Sequence, residues 1–186
     1  MLRSIPNIIT LARIVLIVPT AWLLLEERYL ASLVLMAIAG LSDALDGALA
    51  RRFCWASSFG AYADPLADKL LVSTMFVILV SQAHVPLWLA AVVISRDVII
   101  MLGAGAYRLI FERIEPNPSF ISKLNTAMQI TMLILVLIGL VDAGPLSGFA
   151  LAMLDPWGFV VVATLGVSSG VDYVYTWGRR ALQERG

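Results

Sequence analysis

The chain has 186 residues, 60% of them hydrophobic and 14% charged, with no formal net charge. Soluble domains carry roughly a quarter charged residues, so this balance and a mean hydropathy of +0.90 point to an integral membrane protein. The neutral balance and the lack of a basic tract exclude an electrostatic case for nucleic acid, and the single cysteine, Cys54, excludes an internal disulfide framework or a cysteine-based metal cluster.

A helix needs about 20 apolar residues to cross the hydrocarbon core. Six windows meet that need, at Ile8–Leu25, Leu30–Ala50, Gly60–Val80, Pro86–Leu109, Phe120–Val141 and Gly148–Trp177. Lipid leaves a lone span no way but a helix to satisfy its backbone, so the expected fold is an all-α bundle of six transmembrane helices in one domain, residues 1–186. The first window has no small-residue cleavage site after it and is expected to be a retained helix, not a signal peptide. Pro116 and Pro118 mark the fourth connection as non-helical. Arg3, Arg13, Arg51, Arg52, Arg108, Arg113, Lys123, Arg179, Arg180 and Arg185 collect on one side, against Arg28 with Glu26 and Glu27 on the other. The positive-inside rule then places both termini in the cytoplasm. The lack of a transit peptide favours a bacterial cell membrane.

Four acids interrupt this apolar pattern beside the second connection. Asp43 and Asp46 share one face of the second helix, and Asp64 and Asp68 share one face of the third. The two helices are expected to be antiparallel neighbours, so the two pairs can face each other near the cytoplasmic surface. An aspartate at mid-membrane costs about 2.5–3.5 kcal/mol, and a hard divalent cation, Mg²⁺ or Mn²⁺, compensates carboxylates most naturally. Gly47 and Gly60 let a ligand or backbone approach closely. Ala50 keeps the same face open, and Arg51 sets a planar cationic fork suited to phosphate beside the acids. Together these residues describe a site for a phosphorylated ligand. A purely structural pairing of the acids with Arg51, Arg52 or Lys69 explains one carboxylate more readily than four.

The spacing reads D-x2-D-G-x2-A-R-x8-G-x3-D-x3-D, with eight fixed positions over the 26 residues from Asp43 to Asp68. It resembles the signature of the CDP-alcohol phosphatidyltransferases, and the opening "IPNIITLAR" is similar to that family's usual start. The resemblance implies a six-helix bundle, normally a homodimer. It implies attack of an acceptor hydroxyl on the β-phosphorus of CDP-diacylglycerol, with release of CMP. On that analogy Asp43, Asp46 and Asp64 hold two cations, and Asp68 joins them and acts as general base. Gly47, Ala50 and Gly60 make room for the cytidine, Arg51 meets phosphate, and Asn7 and Thr10, with Arg13, line the nucleotide end. The same residue types also serve plain helix packing.

Two acceptors fit the family: phosphatidylglycerol, giving cardiolipin, and glycerol 3-phosphate, giving phosphatidylglycerophosphate. "VISRDVII" and "PSFISKLNTAMQI" resemble the cardiolipin synthases. The glycerophosphate enzymes typically read "ARE" where this chain has Ser95-Arg96-Asp97, and carry an arginine where it has Ala104. A phosphomonoester dianion needs more cationic partners than a phosphodiester, so phosphatidylglycerol is the expected acceptor, although Arg108 stands one turn beyond Ala104. Arg96, deep in its span, is expected either to bind acceptor phosphate with Lys123 or to pair structurally with Asp97 or Asp172. His84 is expected to be a solvated loop residue. A divalent-cation transporter is the remote alternative, disfavoured because its acids belong near the midplane between inverted repeats.

Overall fold

A computed structural model describes the backbone of residues 5–53, 60–111, 119–141 and 144–183, and the side chains of 11–42, 66–106, 119–141 and 144–179. Its helices are α1 (Ile5–Leu25), α2 (Tyr29–Phe53), α3 (Gly60–Ser81), α4 (Leu87–Phe111), α5 (Phe120–Leu140), α6 (Pro145–Met153) and α7 (Phe159–Gln183), with no strand among the described residues. Among these residues, three stretches are long and apolar enough to cross a membrane: Leu87–Ala106, Phe120–Leu140 and the α6–α7 run Pro145–Arg179. Shorter apolar helical stretches cover Leu11–Leu25 and Tyr29–Ser42. The all-α expectation holds.

The distribution of polarity is that of a protein dissolved in lipid. On α1, Leu11, Val15, Val18 and Trp22 recur at helical spacing and are all more than half exposed. Arg13 and Thr20 on the same helix are buried, as are Ser32, Arg96, Asp97, Asn125, Gln129 and Ser169 elsewhere. Apolar side chains outside and polar ones inside are stable only where the surrounding solvent is itself apolar. The apolar core lies between α3, α4 and α5, around Met75, Phe76, Leu79, Leu89, Leu133 and Leu137.

Among the described residues α1 packs against both α2 and α3, while α2 and α3 make no contact with each other. The side chains of the helix ends expected to face each other, 43–53 and 60–65, lie outside the described residues; within the described ones α1 joins the two helices. At the far end from that connection, Gln82 donates to the Leu24 carbonyl at 2.9 Å, tying the α3–α4 turn to α1. His84 lies half-buried in the α3–α4 turn, its Nε2 3.2 Å from the Tyr29 hydroxyl.

The expected sixth span is broken. Gly148–Trp177 is not one helix, because Leu154–Gly158 forms a wide turn in which Asp155 leaves helical geometry at φ −102°, ψ 123°. Pro156 supplies no N–H, and its ring drives the preceding residue out of the helical region. The membrane-crossing part is α7, which runs parallel to α4, with Gly166 against Val92 and Gly170 against Arg96. Small residues at these two positions, one turn apart, let α7 come close to the helix that carries the buried charge.

The break also generates a prediction. A methyl group at Gly158 would lie 2.7 Å from the Met153 carbonyl oxygen, a backbone atom with little freedom to yield, whereas one at Gly148 meets nothing within 4 Å. Gly158→Ala is expected to destabilise the protein by about 1–3 kcal/mol, read as a lowered Tm in detergent, with Gly148→Ala near the parent value.

Candidate functional site

Every position of the aspartate-rich stretch outside the 54–59 connection lies on a helix. Asp43, Asp46, Gly47, Ala50 and Arg51 occupy the last turns of α2, and Gly60, Asp64 and Asp68 the first turns of α3. Asp68 is the one whose side chain is described. The side chains of Asp43, Asp46, Ala50, Arg51 and Asp64 lie outside the described residues, as do those of Asn7, Thr10 and Arg108. Among the described residues no three His, Cys, Asp or Glu side chains gather in one place.

Asp68 is held by α1. Arg13 NH1 donates to its Oδ1 at 3.0 Å, with the Arg13 side chain 1% exposed and that of Asp68 46% exposed. A buried guanidinium donating to a half-open carboxylate fixes that carboxylate's position while leaving it within reach of the outside. The bond also locks α1 to α3 at the level of the motif. In the sequence Arg13 was legible as one of many cytoplasmic-side charges and as part of the opening segment expected to line the nucleotide end. Its contact with Asp68 spans 55 positions.

The next residue begins a second network. Lys69 Nζ donates to Asp97 Oδ1 at 2.6 Å, and Arg96 NH1 donates to the same oxygen at 2.6 Å. Arg96 NH2 donates to Ser122 Oγ at 2.7 Å and to Ser169 Oγ at 2.5 Å. One chain of contacts thus joins α3, α4, α5 and α7. Arg96 therefore takes the expected pairing with Asp97, not Asp172. With only 4% exposure, it lies behind the surface that Lys123 occupies. Lys123 is exposed on the first turn of α5, next to Ser122. Ser119 caps that turn, its hydroxyl accepting from the Ser122 N–H at 3.2 Å. The Asp68–Lys69 step of α3 and the Ser122–Lys123 step of α5 are consequently set at one level of the bundle.

Taken together, these contacts place a half-open aspartate, a buried cation bridge and an exposed lysine near the helix ends that bear the remaining acids. A family model for CDP-alcohol phosphatidyltransferase matches residues 3–167, which include both networks up to α7. The chain belongs to this family. It is similar to human cardiolipin synthase (CMP-forming), at 34% identity over 97% of this chain and 63% of the relative. The cardiolipin synthase of Streptomyces coelicolor is 35% identical over 56% of this chain and 52% of the relative. A CDP-diacylglycerol–glycerol-3-phosphate 3-phosphatidyltransferase of Pseudomonas fluorescens is 43% identical over 52% of each. The chain spans about 63% of the human relative's length.

In this interior polar network, sequence reasoning missed the Lys69–Asp97 contact, Ser122 and Ser169. A serine in an apolar helix is common, and no spacing rule links residues 73 positions apart, as Arg96 and Ser169 are. The one available signal was energetic: an arginine, an aspartate and a lysine in apolar spans must find one another.

Replacing Arg96 by Met is expected to destabilise the protein by roughly 3 kcal/mol, because a buried ion pair loses one partner and the hydroxyls of Ser169, buried, and Ser122, partly buried, lose their donor. Ser169→Ala, which removes a single acceptor, is expected to cost about 1 kcal/mol. Thermal unfolding in detergent measures both.

Proposed function

We propose that the chain is a phosphatidyltransferase of phospholipid synthesis, moving the phosphatidyl group of CDP-diacylglycerol to a hydroxyl of phosphatidylglycerol and giving cardiolipin and CMP. The observation that carries this reading is the complete eight-position aspartate motif inside the family match over residues 3–167. For the acceptor, the support is the extent of likeness: 97% of the chain aligns with a relative named cardiolipin synthase.

In this mechanism the acceptor oxygen attacks the β-phosphorus of CDP-diacylglycerol and its proton passes to Asp68. A new P–O bond forms, the bond from that phosphorus to the bridging oxygen breaks, and its electron pair leaves with CMP. Arg13 orients Asp68 for this step, since a base must stand within hydrogen-bond reach of the proton it takes. Asp43, Asp46, Asp64 and Asp68 would hold two Mg²⁺ or Mn²⁺ ions; an all-carboxylate donor set is the hard-oxygen kind such ions prefer. When bound, such ions neutralise the diphosphate and hold attacking and leaving oxygens in line. Gly47, Ala50 and Gly60 leave space for the cytidine, Arg51 meets phosphate, and Asn7 and Thr10 line the nucleotide end.

Lys123 meets the acceptor's phosphodiester, with Arg108 further along α4 and Arg96 acting from behind through Ser122. A phosphodiester monoanion needs fewer cationic partners than a phosphomonoester dianion, which fits the absence of an arginine at Ala104. Loop charges orient the bundle with both termini and the reaction centre at the cytoplasmic face of the cell membrane, and the working unit is a homodimer. The second reading keeps the chemistry and takes glycerol 3-phosphate as acceptor. It is favoured by the 43% identity to the Pseudomonas fluorescens transferase, over half of the chain.

CMP release by the purified protein in detergent, with CDP-diacylglycerol and Mg²⁺ or Mn²⁺, tests this. Turnover is expected with phosphatidylglycerol and not with glycerol 3-phosphate, and Asp68→Asn should lower it by at least about a hundredfold, the scale of one lost general base. Turnover with glycerol 3-phosphate alone would establish the second reading. No release above the Asp68→Asn background with either acceptor would reject both.

A further inference from the structure

The Asp97 carboxylate does more than neutralise its neighbours. It sits on α4, 2% exposed, with two cations on one oxygen: the Lys69 ammonium and the Arg96 guanidinium, each at 2.6 Å. Its Oδ2 is buried and has no hydrogen-bond partner among the described residues. The two cations differ in what else holds them. Arg96 is also anchored by Ser122 and Ser169, so its guanidinium keeps two partners if Asp97 loses its charge. Lys69 has Asp97 as its one hydrogen-bond partner among the described residues, stands 21% exposed, and directly follows Asp68 in α3. Its ammonium is a compact charge on a flexible four-carbon stem. Released from Asp97, it can swing towards the aspartates at the head of its own helix.

We infer that Asp97 is a positioning residue that holds the Lys69 ammonium away from Asp68 and its companion acids, reserving those carboxylates for divalent cations. The inference rests on the proposed two-cation site, and adds to it the reason that the site tolerates a lysine beside its fourth aspartate. An ammonium paired with the acids would cancel part of the negative charge on which cation affinity depends. Asp97 competes with them by offering a buried and better desolvated partner at 2.6 Å, where attraction is stronger than at the half-open Asp68. Arg96 holds Asp97 from the other side and, through Ser122 and Ser169, sets the carboxylate against α3. The arrangement makes cation binding by α2 and α3 depend on a residue of α4 that touches neither the cations nor the substrate.

Direct Mn²⁺ binding tests this without turnover, by electron paramagnetic resonance of the free ion in titrations of the purified protein in detergent. Asp97→Asn, nearly the same shape without the charge, is expected to weaken Mn²⁺ binding by roughly tenfold, the effect of one added cation within about 10 Å at an intermediate dielectric. Adding Lys69→Met to Asp97→Asn should restore most of the lost affinity, and Asp97→Glu should stay near the parent value. A role confined to helix packing would give no such rescue, since the double variant has fewer polar contacts than the single one. Should Asp97→Asn not yield monodisperse protein, Asp97→Ser, which leaves room for a water above Arg96, carries the same expectations. Unchanged Mn²⁺ affinity in the charge-removing variant, or weakened affinity without rescue by Lys69→Met, would overturn the inference. Absence of Mn²⁺ binding by the parent protein would instead remove the proposed cation site itself, and the inference with it. The parent titration therefore separates the two failures.

Discussion

One buried carboxylate under two cations organises the polar interior of this bundle. Asp97 receives Lys69 from α3 and Arg96 from its own helix, and Arg96 passes the constraint to α5 and α7 through two serine hydroxyls. In a lipid-facing protein such charges have no water to fall back on, and an unpaired one is severely penalised. The contacts consequently fix rotation and register as well as energy. Turning any one of the four helices by a residue would strand a charge or a hydroxyl. Packing of Leu and Val against one another cannot discriminate in this way, because lipid tails are as apolar as the side chains they would displace.

The same logic explains how the fold joins its functional regions. Asp68 and Lys69 are consecutive, yet they take opposite roles. The aspartate is gripped by Arg13 and half open, while the lysine is turned to Asp97 and mostly covered. Ser122 and Lys123 repeat the division on α5, with the hydroxyl turned inward to Arg96 and the ammonium exposed. In each pair one side chain secures the helix and its neighbour remains available for chemistry. Contacts between Lys69, Asp97, Arg96 and Ser122 thereby tie α3, α4 and α5 together where the exposed side chains stand.

Much of this was readable from residues alone. The greasy composition and the spacing of apolar windows gave the helices, because lipid permits a single span little else. The eight fixed positions from Asp43 to Asp68 carried the family, which the match over residues 3–167 bears out. One expectation, an unbroken helix over Gly148–Trp177, failed for a local reason. Hydropathy counts Pro156 as one more residue in an apolar run, but its missing N–H and bulky ring break the helix at Asp155. The packing of α1 against both α2 and α3 was not legible either. Chain proximity constrains where a helix begins and says little about which face it presents.

The sequence by itself determined the solvent, the helices and the chemistry on offer. These follow from composition and from spacing within single helices, where distance along the chain maps onto distance in space. Only the tertiary structure decided which charge meets which. Arg13 finds Asp68, Lys69 finds Asp97, and Arg96 finds Ser169, over separations of 55, 28 and 73 residues. The physical reason is that a buried ion pair depends on the rotation of two helices about their axes. That rotation is a collective result of the whole bundle's packing, which no local pattern encodes.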